Sequence, residues 1–114
     1  IINTAFEALE FESGKDVIKA VSHPSLEELA MLLLRKSEWK LIIAGHTDSD
    51  GSEEFNQTLS EGRAQSAVNY IIEKGVNQDR LVAKGYGETQ PLFENNTEEN
   101  KANNRRVELK VIGK

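Results

Sequence analysis

Apolar residues recur at intervals of three and four positions in two stretches of the chain, which is the spacing of a helix with one buried face. In the first stretch, Ser25 and Glu28 have the spacing of a capping box. The basic residues Arg35 and Lys36 suit the negative end of a helix dipole. We therefore predict a helix of about three turns that ends near Lys36. Its apolar positions are Leu26, Leu29, Ala30, Leu33 and Leu34.

The second helical stretch follows Ser60, which we predict to be its N-cap. It ends at Lys74 and Gly75, a basic residue followed by one that adopts the left-handed conformation easily. Arg63 would then lie in the first turn, where a cation is unfavourable by roughly a few tenths of a kcal/mol. An anionic ligand or an ion pair with Asp48 would offset that cost, and a purely structural ion pair explains the residues equally well. The apolar positions are Ala64, Ala67, Val68, Ile71 and Ile72.

Four segments are predicted to be strands. The run Leu41–Gly45 is apolar, as in a central strand, and Arg106–Ile112 alternates between apolar and polar residues, as in a strand with one buried face. Leu81–Tyr86 and a short alternating segment at Leu9–Glu12 complete the set, and residues 97–103 are predicted to form one helical turn. The order β-α-β-α-β-β predicts an α+β fold (an α/β sandwich) with a mixed four-stranded sheet and two main helices on one face.

Composition narrows the class of protein. The 114 residues include 14 Lys and Arg against 19 Asp and Glu, which gives a formal net charge of −5. One domain, residues 1–114, is expected at this length, and because the chain opens at Ile1 rather than Met we expect it to be part of a longer protein. No apolar run approaches the ~18–20 residues of a membrane span. The acidic balance argues against nucleic acid as a partner, and the absence of cysteine excludes disulfides and cysteine nucleophiles.

The most informative polar segment is residues 45–64, which leave a central strand and enter a helix. Open sheets with crossover helices bind their ligands at such a place. His46 and Asp48 lack a third ligand at metal spacing, and Gly51 comes too early for a calcium loop. Ser60 has no evident histidine partner for nucleophilic catalysis. No metal, cofactor or catalytic residue is therefore predicted.

Several motifs, in this order and spacing, resemble the OmpA-like domain, the C-terminal peptidoglycan-binding module of outer-membrane proteins, the Pal lipoprotein and flagellar motor stators. The resemblance extends from Phe11 to Ile112. The motifs are Gly45-His-Thr-Asp48, Gly51, Asn56, Leu59-Ser60, Arg63-Ala64, Gly85-Tyr-Gly-Glu88, Pro91, Asn95 and Asn104-Arg-Arg-Val-Glu108.

This resemblance implies non-covalent binding of peptidoglycan, through the diaminopimelate residue of the stem peptide, and no catalysis. It implies that the chain is the C-terminal part of an outer-membrane protein or lipoprotein, tethered to the cell wall at the periplasmic face of the outer membrane of a Gram-negative bacterium. Membrane association would come only from a segment outside this chain. The alternatives are an enzyme acting on the wall, for which no metal triad or nucleophile with its base is visible, and a calcium-dependent structural domain.

The resemblance also implies a set of ligand-binding residues. Asp48 would accept the ammonium of the diaminopimelate head, and Arg63 would donate to its carboxylate. A nearby helix N-terminus would add backbone N–H donors. The chain departs from the family pattern at Gly62, where a charged residue is common. The remaining positions implied for the site are Thr47, Asn56, Leu59, Arg105, and Glu12 to Gly14 in the turn after the first strand.

Overall fold

The computed structural model describes residues 2–5, 11, 15–90 and 93–112, leaving aside the side chains of 2–5 and 102–103. Two short 3-10 helices, at Ala20–Ser22 and Gln78–Arg80, precede α1 and β3. The regular elements in chain order are β1 (Ile2–Ala5), α1 (His23–Arg35), β2 (Lys40–His46), α2 (Glu53–Glu73), β3 (Leu81–Gly85), α3 (Glu98–Asn104) and β4 (Arg106–Ile112).

The four strands form one mixed sheet in the order β1-β4-β2-β3. The central pair β2 and β4 is antiparallel, and β4 also pairs antiparallel with β1. Because α2 connects β2 to β3 as a crossover, these two strands run parallel, with Gly45 opposite Gly85. The loops that follow β2 and β3 therefore leave the same edge of the sheet.

The two long helices and one face of the sheet share a single hydrophobic core. Alternate residues of β2 and β4 are buried, and the side chains between them face away from the helices. The predicted α+β class is confirmed, and Leu33 and Ile71 are both 0% exposed. Leu34, assigned to the buried stripe, is instead 49% exposed. The core consists of Leu26, Leu29, Ala30, Leu33, Leu41, Ile43, Ala64, Ala67, Val68, Ile71, Val76, Leu81, Val107, Leu109 and Val111.

The structure differs from the sequence prediction at both helix starts. The N-cap of α1 is Ser22, not Ser25, and Pro24 occupies the first turn, where its missing N–H costs no hydrogen bond. The N-cap of α2 is Ser52, whose side chain accepts a hydrogen bond from the backbone N–H of Phe55. Ser60 is therefore an interior residue of α2, and its predicted capping role is wrong. The prediction failed because the residues buried in the first turns of α2, Asn56 and Ser60, are polar.

The first strand also differs from its prediction. The predicted segment Leu9–Glu12 lies outside the described residues except for Phe11, which forms an isolated bridge with Ile18. The first strand of the structure is Ile2–Ala5, whose antiparallel pairing with β4 the sequence pattern did not predict.

Helix α2 crosses the ends of β2 and β3 at backbone contact distance. A Cβ on Gly45 would lie 2.3 Å from the carbonyl oxygen of Ser60, and one on Gly85 would lie 2.5 Å from the backbone nitrogen of Glu61. Both distances are too short for any side chain, so only glycine allows this approach. Ser60 is fully buried there; its hydroxyl donates to the carbonyl of Gln57 and accepts from the N–H of Gly87, both at 2.9 Å.

Candidate ligand-binding site

Asp48 lies in the loop between β2 and α2, and it is only 5% exposed. Its Oδ1 accepts a hydrogen bond from the N–H of Asp50 at 2.9 Å, and its Oδ2 accepts from Nη1 of Arg105 in an ion pair. Thr47 is fixed beside it, since its N–H donates to the carbonyl of Gly87 at 2.8 Å and its hydroxyl donates to the carbonyl of Asp48 at 2.8 Å. The loops after β2 and β3 therefore both help to fix the position of the Asp48 carboxylate.

Asn56, in the second turn of α2, ties this loop together. It is 3% exposed, and its Nδ2 donates to the carbonyls of Asp48 at 3.3 Å and Asp50 at 2.9 Å, and to Oε1 of Glu88 at 3.2 Å. An amide has two hydrogens, so one of them is shared between acceptors. The hydrogen bonds of Asn56, like those of Thr47, shape the loop around Asp48.

Helix α3 holds the same loop from the other side. Arg105 follows its last residue and pairs with Glu98 at 3.0 Å as well as with Asp48, while Nζ of Lys101 pairs with Oδ1 of Asp50 at 3.1 Å. Burial alone would lower the pKa of Arg105, but its hydrogen bonds to Asp48 and Glu98 outweigh that effect and raise it. Arg105 was predicted from the sequence but Lys101 was missed, although it lies four positions before Arg105 and residues four apart lie on one side of a helix.

Arg63 lies in the middle of α2, so its predicted place in the first turn is wrong. It is half-buried; its Nε donates to the carbonyl of Lys15 at 2.9 Å, and its guanidinium carbon is 5.1 Å from the ring centre of Phe11. Burial lowers the pKa of Arg63, the charge of Arg105 lowers it further, and the charges of Asp16 and Asp48 act in the opposite direction. The guanidinium stays charged, because arginine is not deprotonated in proteins. Arg63, Arg105 and Asp48 therefore act on one another electrostatically.

A groove is formed by α2 and residues 15–17, and the carbonyl of Lys15 in this segment accepts the hydrogen bond of Arg63. It has a volume of about 320 Å³, and Leu59, Phe55 and Thr58 line one side, opposite residues 15–17. Phe55 is 51% exposed, so the groove offers apolar surface to a ligand. The predicted site residues Glu12 and Gly14 lie outside the described residues.

The departure from the family pattern at Gly62 has a local explanation. A Cβ at this position would lie 2.7 Å from Oδ2 of Asp16. A side chain at position 62 would therefore require Asp16 to move.

His46 precedes the loop and is 3% exposed. Its ring stacks on Tyr86 with centroids 5.3 Å apart, and neither ring nitrogen has a hydrogen-bond partner among the described residues. Its Nε2 is 3.8 Å from Oε1 of Glu108. Burial lowers the pKa of His46 and the charge of Arg106 adds to this effect, against a smaller opposite effect of Glu108. The folded protein therefore favours the neutral imidazole.

This environment predicts a pH-dependent stability. The unfolded chain binds a proton at His46 more readily than the folded chain does. The contribution of neutral His46 to the free energy of unfolding should therefore be fully present above about pH 6.5 and be lost as the pH falls below that value. Each unit by which the pKa is lowered is worth about 1.4 kcal/mol. Urea unfolding of wild type and His46→Phe, which keeps an aromatic ring against Tyr86, measures this at pH 7.5 and 5. His23→Phe is the matched control, and parallel losses in wild type and His46→Phe would show the assignment to be wrong.

Among the residues that the structure describes, no three His, Asp or Glu side chains are grouped as metal ligands. None of the described helices combines the length and the apolar character needed to cross a membrane.

Comparison with known proteins identifies the family to which the chain belongs. The model of the OmpA family matches residues 10–105. The chain belongs to the OmpA family. It is 38% identical over 103 residues to outer membrane porin F of Pseudomonas fluorescens, a match that covers 90% of the chain and 32% of that protein. The chain spans about a third to a half of the length of such relatives.

Solved structures of this OmpA-family fold include a MotB-like protein from Desulfovibrio vulgaris. It is 31% identical, with a TM-score of 0.84 over 98% of the chain and 74% of that structure. The cell wall anchor of the T6SS from Pseudomonas aeruginosa is 27% identical, with a TM-score of 0.81 over 97% of the chain and 78% of that structure. The predicted membership of the OmpA family is confirmed.

Proposed function

We propose that this OmpA-family domain binds peptidoglycan non-covalently, through the diaminopimelate residue of the stem peptide. The observation that carries the proposal is the nearly buried carboxylate of Asp48, held in a fixed loop near the guanidiniums of Arg105 and Arg63. A solved relative that is a cell wall anchor supports the same partner.

The charges of the cluster fit the free end of diaminopimelate, which carries one ammonium and one carboxylate. Asp48 uses one hydrogen bond on each oxygen, and a carboxylate has about four acceptor positions, so it can also accept from an ammonium. Glu98 and Asp16 offset part of the charge of Arg105 and Arg63, but both guanidiniums carry several N–H groups that can donate to the carboxylate of the same ligand.

The groove between α2 and residues 15–17 suits the uncharged part of the same ligand. Leu59 and Phe55 offer apolar contacts for the methylene chain that separates the two amino-acid ends of diaminopimelate. In this binding mode Thr47 and Asn56 support the loop, and Leu59 contacts the ligand.

The biological role that follows is a tether. The domain would hold a longer outer-membrane protein or lipoprotein to the wall, from the periplasmic face of the outer membrane of a Gram-negative bacterium. Attachment to the membrane itself would belong to a segment outside this chain. We assign no chemical step to the wall-binding residues. The competing hypothesis is that the protein is an enzyme acting on the wall.

Cosedimentation with purified wall sacculi tests the proposal. The domain should pellet with sacculi that contain diaminopimelate, bind more weakly to sacculi with lysine at that position, and release no soluble wall fragments. Free diaminopimelate should compete for binding. Failure to pellet would contradict the proposal, and release of fragments would favour the enzyme.

A further inference from the structure

The side of the sheet that faces away from α1 and α2 is here called the outer sheet face. It is exposed around its lysines, whereas the side chains of His46 and Arg106 at one end of it are nearly buried. Its residues alternate with the buried core positions of β2, β3 and β4. Lys40, Lys84 and Lys110 are exposed on this face, and Val82 and Ile112 are 44% and 37% exposed. No helix of the described structure packs there.

The strand register arranges these residues around an apolar centre. Ile42 of β2 is opposite Val82 on one side and Lys110 on the other, and Lys40 is opposite Ile112. Two residues further along the strands, Lys84 is opposite Ala44. The three lysines therefore border a small cluster of aliphatic side chains.

The outer sheet face is cationic although the chain is acidic. Its other two charged residues, Arg106 and Glu108, neutralise each other through a 2.6 Å ion pair. No ion pair among the described residues involves Lys40, Lys84 or Lys110, and the sequence of β1 contains no charged residue. Three positive charges thus lie together in a chain whose net charge is −5. Such segregation creates a local positive potential that the net charge hides.

We propose that the outer sheet face docks on an anionic phospholipid surface. Lysine is a flexible point charge without the fork of arginine, so it suits a surface of many negative groups better than one defined ligand. Aliphatic side chains between lysines suit a lipid interface, where lysine stems extend to keep the charge in water. Among the outer positions of β2–β4, the aromatic ring is that of His46, which is 3% exposed and already stacked on Tyr86, so it offers no open face to a base; this disfavours single-stranded nucleic acid.

This surface is separate from the wall-binding residues. Asp48 and Arg105 lie at the end of the strands, in loops after β2 and before β4, whereas the lysines lie within the strands. Binding of lipid and of wall can therefore be removed independently, and the lipid proposal does not depend on the proposed function.

Vesicle cosedimentation tests the proposal. The domain should bind equimolar phosphatidylglycerol and phosphatidylcholine vesicles at low salt, with a dissociation constant near 1 mM in accessible lipid, and should not bind pure phosphatidylcholine. Removing all three charges in K40Q/K84Q/K110Q should weaken binding on the order of 100-fold, about fivefold for each lysine. The control K19Q/K36Q/K74Q removes the same charge outside the sheet and should bind as wild type.

Each outcome decides the question. Circular dichroism should show both triple variants folded, and K40Q/K84Q/K110Q should still pellet with wall sacculi. Asp48→Ala should still bind anionic vesicles. Equal loss in the two triple variants, or wild-type binding by K40Q/K84Q/K110Q, would overturn the proposal. Retention on a soluble polyanion such as heparin without vesicle binding would overturn it as well.

Discussion

Asp48→Ala should weaken binding of a diaminopimelate-containing stem peptide by at least ~100-fold, because a charge left without its partner costs several kcal/mol and each 1.4 kcal/mol is tenfold. The change removes the proposed acceptor of the ligand's ammonium and leaves two guanidiniums without their central anion. The fold should survive, since Arg105 is 39% exposed and keeps Glu98 as a partner. Titration calorimetry of the peptide into both proteins, with melting curves alongside, measures the two effects separately.

Two variants sharpen this experiment. Asp48→Asn keeps an oxygen to accept from the N–H of Asp50 but removes the charge, so it should lose nearly as much affinity as alanine. Asp50→Asn is the matched control, since Asp50 is a carboxylate two positions away whose side chain is 63% exposed and pairs with Lys101. Its effect should be a few-fold at most. Equal affinities for wild type and Asp48→Ala would show the site assignment to be wrong, whereas loss of the fold would indicate a structural role for the ion pair.

Truncation of the core should produce the largest losses of stability. Leu33→Ala in α1 and Ile71→Ala in α2 should each lower the free energy of unfolding by about 2–5 kcal/mol, because each removes apolar atoms from a site with no solvent exposure and leaves a cavity. Leu34→Ala provides a matched control one residue away. Leu34 is 49% exposed, so this variant should lose well under half as much.

Urea denaturation followed by circular dichroism measures these differences. The midpoint should shift while the slope of the transition stays constant, which indicates a change in stability rather than in the unfolded state. Similar losses for Leu33→Ala and Leu34→Ala would mean that the buried face of α1 is assigned incorrectly.

Periodicity alone located the cores of both helices and the strand Arg106–Ile112, since one buried face imposes a regular spacing on apolar residues. It failed in the first turns of α2, where the buried residues Asn56 and Ser60 are polar. Their burial is compensated by hydrogen bonds, which include those of Ser60 with Gly87 and of Asn56 with Glu88. These two partners lie 27 and 32 positions along the chain and leave no local pattern.

The candidate site was also predicted only in part from the sequence. Asp48 and Arg63 were identified through motifs, but the ion pair that the structure gives Asp48 joins it to Arg105, 57 positions along the chain. Only the topology brings α3 beside the loop after β2. Lys101 could have been identified from its four-residue spacing to Arg105, and Glu98 was missed as well.

The close crossing of α2 over Gly45 and Gly85 has a mechanical consequence. In most helix–sheet interfaces a layer of side chains separates the two backbones, and such a layer can shear under load. Here the carbonyl of Ser60 lies against the strand ends with no side chain between, so we expect a force on a ligand at Asp48 to pass directly into the sheet. In the proposed wall tether, this contact should keep the binding geometry while the domain is pulled.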